Sequence, residues 1–186
     1  VPAPADLLSH ETRGVRGEPV DMLAGLEADE TLPRIVDQLQ EGEVWESAVV
    51  AIHSLGPEKA VPDLLRVLRS QPLARVGALR ALRGVRSDAV RDAIRPLVDD
   101  PDDEIRILTL ELLERLDSTG AERVASAWVK AENPKLREAA VDLFGRLGKP
   151  REEVGVLLGD RDRDVRRSAA GAMSLTGDRE SIPQLI

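Results

Sequence analysis

Asp100-Pro101-Asp102-Asp103-Glu104-Ile105-Arg106 and Asp162-Arg163-Asp164-Val165-Arg166-Arg167-Ser168-Ala169-Ala170 decide the fold of this chain. Each is a polar turn, then an apolar residue, then an arginine at the opening of an amphipathic stretch. Ile105 and Val165 belong to a series that also contains Val44, Ala74 and Leu136, at spacings of 30, 31, 31 and 29. Four places after these anchors stand Ala48, Ala78, Thr109, Ala140 and Ala169. Seven places after come Ala51, Ala81, Leu112, Leu143 and Ala172, and eight after come Ile52, Leu82, Leu113, Phe144 and Met173. Apolar or small residues at 0, +4, +7 and +8 form one stripe of a helix. A stripe that recurs every 30 residues or so is a helical repeat.

A second, upstream helix belongs to each unit. Leu32-Pro33, Val61-Pro62 and Ile182-Pro183 open three of them, because proline suits a first turn that has no use for its missing N–H. Leu64, Leu65 and Leu68, and Ala93, Ile94, Leu97 and Val98, supply apolar stripes there. The two helices of a unit are joined at Gln71-Pro72, Asp100-Pro101-Asp102, Asn133-Pro134 and Asp160-Arg161-Asp162, where Asp and Asn can cap the following helix. Gly56, Gly148 and Gly177 fall twelve places after their anchors, where a helix ends on a left-handed residue.

These features predict an all-α chain, a right-handed α-α superhelix of about five helical hairpins. Residues 1–30 read as an N-terminal linker and helical cap, with helices near Asp6–Ser9 and Pro19–Leu26. Residues 31–186 read as the array, in units of about 31–56, 57–86, 87–118, 119–148 and 149–178, with a further helix starting at 179–186. The chain starts at Val1 and stops within an apolar periodic segment, so the expectation is a piece of a longer array.

The Asp-Pro-Asp-Asp-Glu-Ile-Arg run at 100–106, the run at 162–170 and the Leu-Gly endings at 55–56 and 147–148 resemble the HEAT family. The likeness is to its short bacterial type, also seen in phycobilisome-lyase subunits, and covers about residues 30–186. It implies that first helices form the convex side and second helices the concave side. It also implies that the arginine after each anchor (Arg75, Arg106, Arg137, Arg166) joins a ladder between neighbouring units. The first unit departs, with Trp45 in the arginine place, as capping units do.

Composition narrows the function. With no cysteine there is no disulfide, thiolate metal site or cysteine nucleophile. No apolar run is long enough to span a bilayer. A formal net charge of −8 opposes wrapping nucleic acid or docking on anionic lipid. No nucleophile elbow, phosphate loop or dinucleotide fingerprint occurs. Asp160, Asp162 and Asp164 have the alternate spacing that opens a calcium loop, but Val165 and Gly171 stand where an EF-hand needs Gly and Glu. His10-Glu11 resembles one iron-binding pair of the HEAT-type deoxyhypusine hydroxylases, which need several. The only other histidine is His53, so the reading is no metal, no cofactor and no enzyme.

What stands out is charge patterning. Leu64 to Pro96 holds eight arginines against Asp88 and Asp92, a local +6 in a chain of −8. Arg80 and Arg83 lie six and nine places past their anchor, off the apolar stripe. They form a basic binding patch, salt bridges to Glu111 and Glu114, the equivalent places of the next unit, or both. Arg75 sits four residues after Gln71, as Arg106, Arg137 and Arg166 do after Asp102, Asn133 and Asp162, so the series can instead tie the polar turns together. Trp128 aligns with a stripe position and reads as core, while Trp45 is open to either role.

The function that follows is a scaffold or adaptor binding a partner protein or an acidic peptide on the concave face, through Arg80, Arg83, Arg86, Arg75 and Trp45. A bilin-lyase-like accessory or chaperone subunit stays open from the resemblance alone. A nucleic-acid-binding solenoid stays open from the arginine stretch, against the overall charge. The expected compartment is the cytoplasm, with the cell envelope not excluded by a chain that starts at Val1.

Overall fold

A computed structural model describes residues 31–40, 44–148 and 152–175. The N-terminal cap, His10-Glu11, Gly177 and the Ile182-Pro183 helix start lie outside the described residues. Among the described residues every regular element is helical. The contacts divide the chain into two compact units, 1–96 and 97–186.

The first unit contains α1 (Leu32–Asp37), α2 (Trp45–Leu55), α3 (Val61–Ser70), α4 (Arg75–Ala81) and α5 (Asp88–Ile94). Pro33 and Pro62 sit in the first turns of α1 and α3. α1 packs on α2 and α3 on α4, while α1 stacks on α3, α3 on α5 and α2 on α4. Helix ends here are capped by backbone rather than side chains, with Val44 and Ala74 at the N-caps of α2 and α4. Gly56 ends α2 at φ +97° and Gly84 follows α4 at φ +96°, a backbone that a side chain would strain.

The second unit contains α6 (Asp103–Leu116), α7 (Ser118–Trp128), α8 (Pro134–Arg146), α9 (Glu152–Val156) and α10 (Arg163–Leu175). α7 packs between α6 and α8, α9 packs on α10, and α8 contacts both α6 and α10. Here acidic and amide side chains do cap. Asp102 Oδ1 accepts from the Glu104 N–H at 2.8 Å, Asn133 Oδ1 from Lys135 N–H at 2.9 Å and Asp162 Oδ1 from Asp164 N–H at 2.9 Å. Such a cap is worth about 1 kcal/mol over alanine.

The stripe is the core. Every residue at 0, +4, +7 and +8 in all five second helices is buried. Leu64, Leu65 and Leu68 are buried too, but Ala93, Leu97 and Val98 are only half-buried. For Leu97 and Val98 the reason is local: residues 95–99, around Pro96, form a 3₁₀ turn, whose threefold period breaks the α-helical stripe; Ala93 lies within α5, next to the buried Ile94. Val90 and Ile94, one α-turn apart, are what α5 buries.

Candidate functional site

The arginine after each anchor is turned toward the end of the preceding helical segment. Arg75 Nε donates to the Leu68 carbonyl at 3.0 Å, and Arg106 Nε to the Val98 carbonyl at 3.2 Å. Arg137 Nη1 donates to the carbonyls of Ala131 and Glu132, both at 2.8 Å. Arg166 Nη1 donates to those of Asp160 at 2.7 Å and Arg161 at 3.2 Å. All four donate to backbone carbonyls rather than to the side chains four residues earlier, and Arg106 Nη1 donates to Asp103 Oδ1 as well, at 3.0 Å. Asp102, Asn133 and Asp162 have spent an oxygen on N–H groups of their own helix, and carbonyls after a helix end are left without intrahelical partners. A cation there also opposes the negative end of the helix dipole.

Arg137 does more. Its Nε and Nη2 donate to Asp160 Oδ2 and Oδ1 at 2.8 and 2.7 Å, a forked pair between α8 and the turn before α10. Both side chains are about 6–7% exposed. The hydrogen bond to Arg137 holds the Asp160 carboxyl below its ordinary pKa, against the opposing effect of burial. The same bond raises that of Arg137. Asn133 Nδ2 donates to Asp103, Arg161 Nη2 to the Glu132 carbonyl at 3.0 Å, and Arg146 Nη2 pairs with Glu114 at 2.9 Å. These cross-links tie α6, α8 and α10 together.

The proposed binding residues all fall in the first unit. Arg80 lies over the Trp45 ring, 5.3 Å from its centroid, a cation–π contact that joins α2 to α4. Arg80 and Trp45 are half-buried, and Val50, also on α2, is 60% exposed. Arg83 and Arg86 are exposed in the segment between α4 and α5. Arg75 is drawn to the end of α3. Trp128 is buried, with Arg106 over its ring at 5.3 Å.

The second unit has a groove that the sequence did not single out. It lies between α6 and α8, measures about 250 Å³, and has Ile107, Leu110 and Ala139 in its lining. Glu111, Glu138, Asp142, Lys135 and Arg146 complete that lining. Its signal was present in principle: these residues occupy places off the stripe on consecutive second helices.

Residues 121–186 match the HEAT repeats family model. Solved structures extend the fold likeness over nearly the whole chain. A designed armadillo repeat protein in complex with the peptide (KR)4 superposes with a TM-score of 0.57 at 14% identity, over 93% of this chain and 98% of that one. The archaeal HEAT-like repeats protein from Thermococcus onnurineus NA1 gives 0.53 at 16% identity, over 94% and 85%. Human deoxyhypusine hydroxylase in complex with glycerol gives 0.50 at 20% identity, over 94% and 72%. No curated protein sequence matches the chain significantly. The fold is thus that of the HEAT and armadillo-like helical repeats. Among the described residues no helix is long and apolar enough to cross a membrane.

Proposed function

We propose that the chain is a non-catalytic scaffold that holds a partner protein or peptide along its second helices. The observation that supports this most is a contrast between two sets of positions on the same helices. The stripe repeats in kind and is buried throughout. The place six residues past each anchor lies outside the core and carries Val50, Arg80, Glu111, Asp142 and Gly171, with no chemistry in common. A repeat keeps its core for stability and varies its outward rows for recognition. Arginine and tryptophan are among the residues most enriched in dominant contacts of protein interfaces, and Trp45 and Arg80 stand together, while Val50 on α2 is exposed. The designed armadillo protein of similar fold, which holds a peptide, supports the same reading.

Arg80, Arg83 and Arg86 are the side chains proposed to meet an acidic part of the partner. The test is affinity capture with the wild-type chain and with Arg80→Glu/Arg83→Glu, at matched folding by circular dichroism. Loss of one or more specific partners is expected. An unchanged set of partners removes these arginines from the interface.

A further inference from the structure

The groove between α6 and α8 is smaller than the pockets of about 300–1,000 Å³ that enclose drug-sized ligands. At about 250 Å³ it suits one long side chain. We infer that it receives a lysine or arginine side chain from an extended basic segment of a partner protein; this rests on the scaffold reading above and adds to it a site in the second unit.

The chemistry of the lining supports that occupant. Ile107 and Ala139, both half-buried, offer apolar surface, against which the methylene stem of a lysine or arginine packs while its charged head stays near water. Glu138 and Asp142 stand one helical turn apart on α8, with Glu111 facing them from α6. Arg146 does not offset them, because its guanidinium is taken by Glu114, with Nε 3.2 and 3.0 Å from the two carboxylate oxygens. That leaves Lys135 as the remaining cation of the lining. Glu138 is oriented by Ser168, whose hydroxyl donates to Oε1 at 3.3 Å from the neighbouring α10. Asp142 is exposed. An incoming cation therefore meets the carboxylates of Glu138 and Asp142, with Glu111 and the Lys135 ammonium also in the lining, above apolar surface. An acidic side chain would meet net repulsion in the same place. The net charge of −8 steers basic segments toward the chain in general, and the groove selects where they seat.

The experiment is fluorescence anisotropy with the intact chain and a dye-labelled (Lys-Arg)4 octapeptide, at 50 and 300 mM NaCl. Binding is expected at low salt and weakening at high salt, as screening requires. Glu138→Gln/Asp142→Asn should weaken binding about tenfold, and Lys135→Gln should tighten it about threefold. Asp88→Asn/Glu152→Gln removes the same charge outside the groove and should change affinity less than twofold. Ile107→Arg places a cation in the groove and serves as a second test should the first variant fold poorly; it too should abolish most binding. Equal weakening by both double variants would show attraction to net charge alone and overturn the groove. So would no binding at 50 mM NaCl, or preference for an (Asp-Glu)4 octapeptide. These outcomes leave the scaffold reading standing whenever the capture experiment still returns partners sensitive to Arg80 and Arg83.

Discussion

Replacing Asp160 by asparagine should be among the costliest polar substitutions in the described chain. The Asp160 carboxylate is about 7% exposed and takes two bonds from Arg137 and a third, at 2.8 Å, from the Asp162 N–H. An amide keeps one acceptor but turns an NH2 donor toward a guanidinium donor. Arg137 retains the Ala131 and Glu132 carbonyls, which satisfy Nη1 and leave Nε and Nη2 buried with half their acceptors. Removing one partner of a buried pair costs about 3–5 kcal/mol, and the retained carbonyls argue for the lower end. Against a domain stability of about 5–15 kcal/mol that is a large fraction. With a urea slope of about 2 kcal/mol/M, a 3 kcal/mol loss lowers the midpoint by about 1.5 M. The assay is urea unfolding followed by far-UV circular dichroism. The apolar double variant Arg137→Met/Asp160→Leu should recover about half the loss, because it leaves no unpaired charge. A midpoint change below about 0.3 M for Asp160→Asn, or a double variant no better than the single, would refute this reasoning.

Four further outcomes follow from the same structure. Because Asp160 is held below its ordinary pKa in the folded chain by Arg137, its stabilising effect is present above the unfolded value of about 3.9 and lost as pH falls through the lower folded value. The gap between wild type and Asp160→Asn in a urea titration should therefore hold from pH 7 to about 5 and close below about 4. Asp37→Asn removes the partner of Arg66 across α1 and α3, yet both side chains are about half exposed, so thermal unfolding should register less than about 1 kcal/mol. Asp102→Ala deletes the cap of α6 and should cost about 1 kcal/mol in the same measurement, with the loss recovered by Asp102→Ser. Gly171→Ala adds a Cβ in α10 that meets nothing within 4 Å, and should stabilise by about 0.5–1 kcal/mol; a destabilised variant would contradict the helical conformation there.

The hairpins were legible because their information is periodic. Anchors about 30 residues apart, with small or apolar residues at +4, +7 and +8, constrain helix, face and neighbour together, and every one of those places is buried. Capping by Asp102, Asn133 and Asp162 was legible for the same local reason. The arginine series was misread in one respect. Spacing brought Arg106, Arg137 and Arg166 near the caps, but spacing does not show that those cap oxygens were already committed to N–H groups, so that the arginines reach backbone carbonyls, and in two cases the carboxylates of Asp103 and Asp160, instead. The Arg137–Asp160 fork joins residues 23 apart, and the Arg80–Trp45 contact joins residues on stacked helices. Both arise from the packing of one helical hairpin on the next within a compact unit, which no single-helix pattern encodes. The α6–α8 groove escaped notice because its lining mixes acidic, basic and apolar residues, so it has no compositional signature; only the register of two helices assembles it.

The most direct test of recognition by the second helices is site-specific photo-cross-linking in the native host. A photoreactive residue would replace Val50, Glu111 or Asp142 on the second helices, or Arg69 or Arg123 on first helices, all outside the core. The expected result is partner adducts at Val50, Glu111 and Asp142 and few or none at Arg69 and Arg123. Adducts confined to Arg69 and Arg123, or equal yields from both sets, would contradict it.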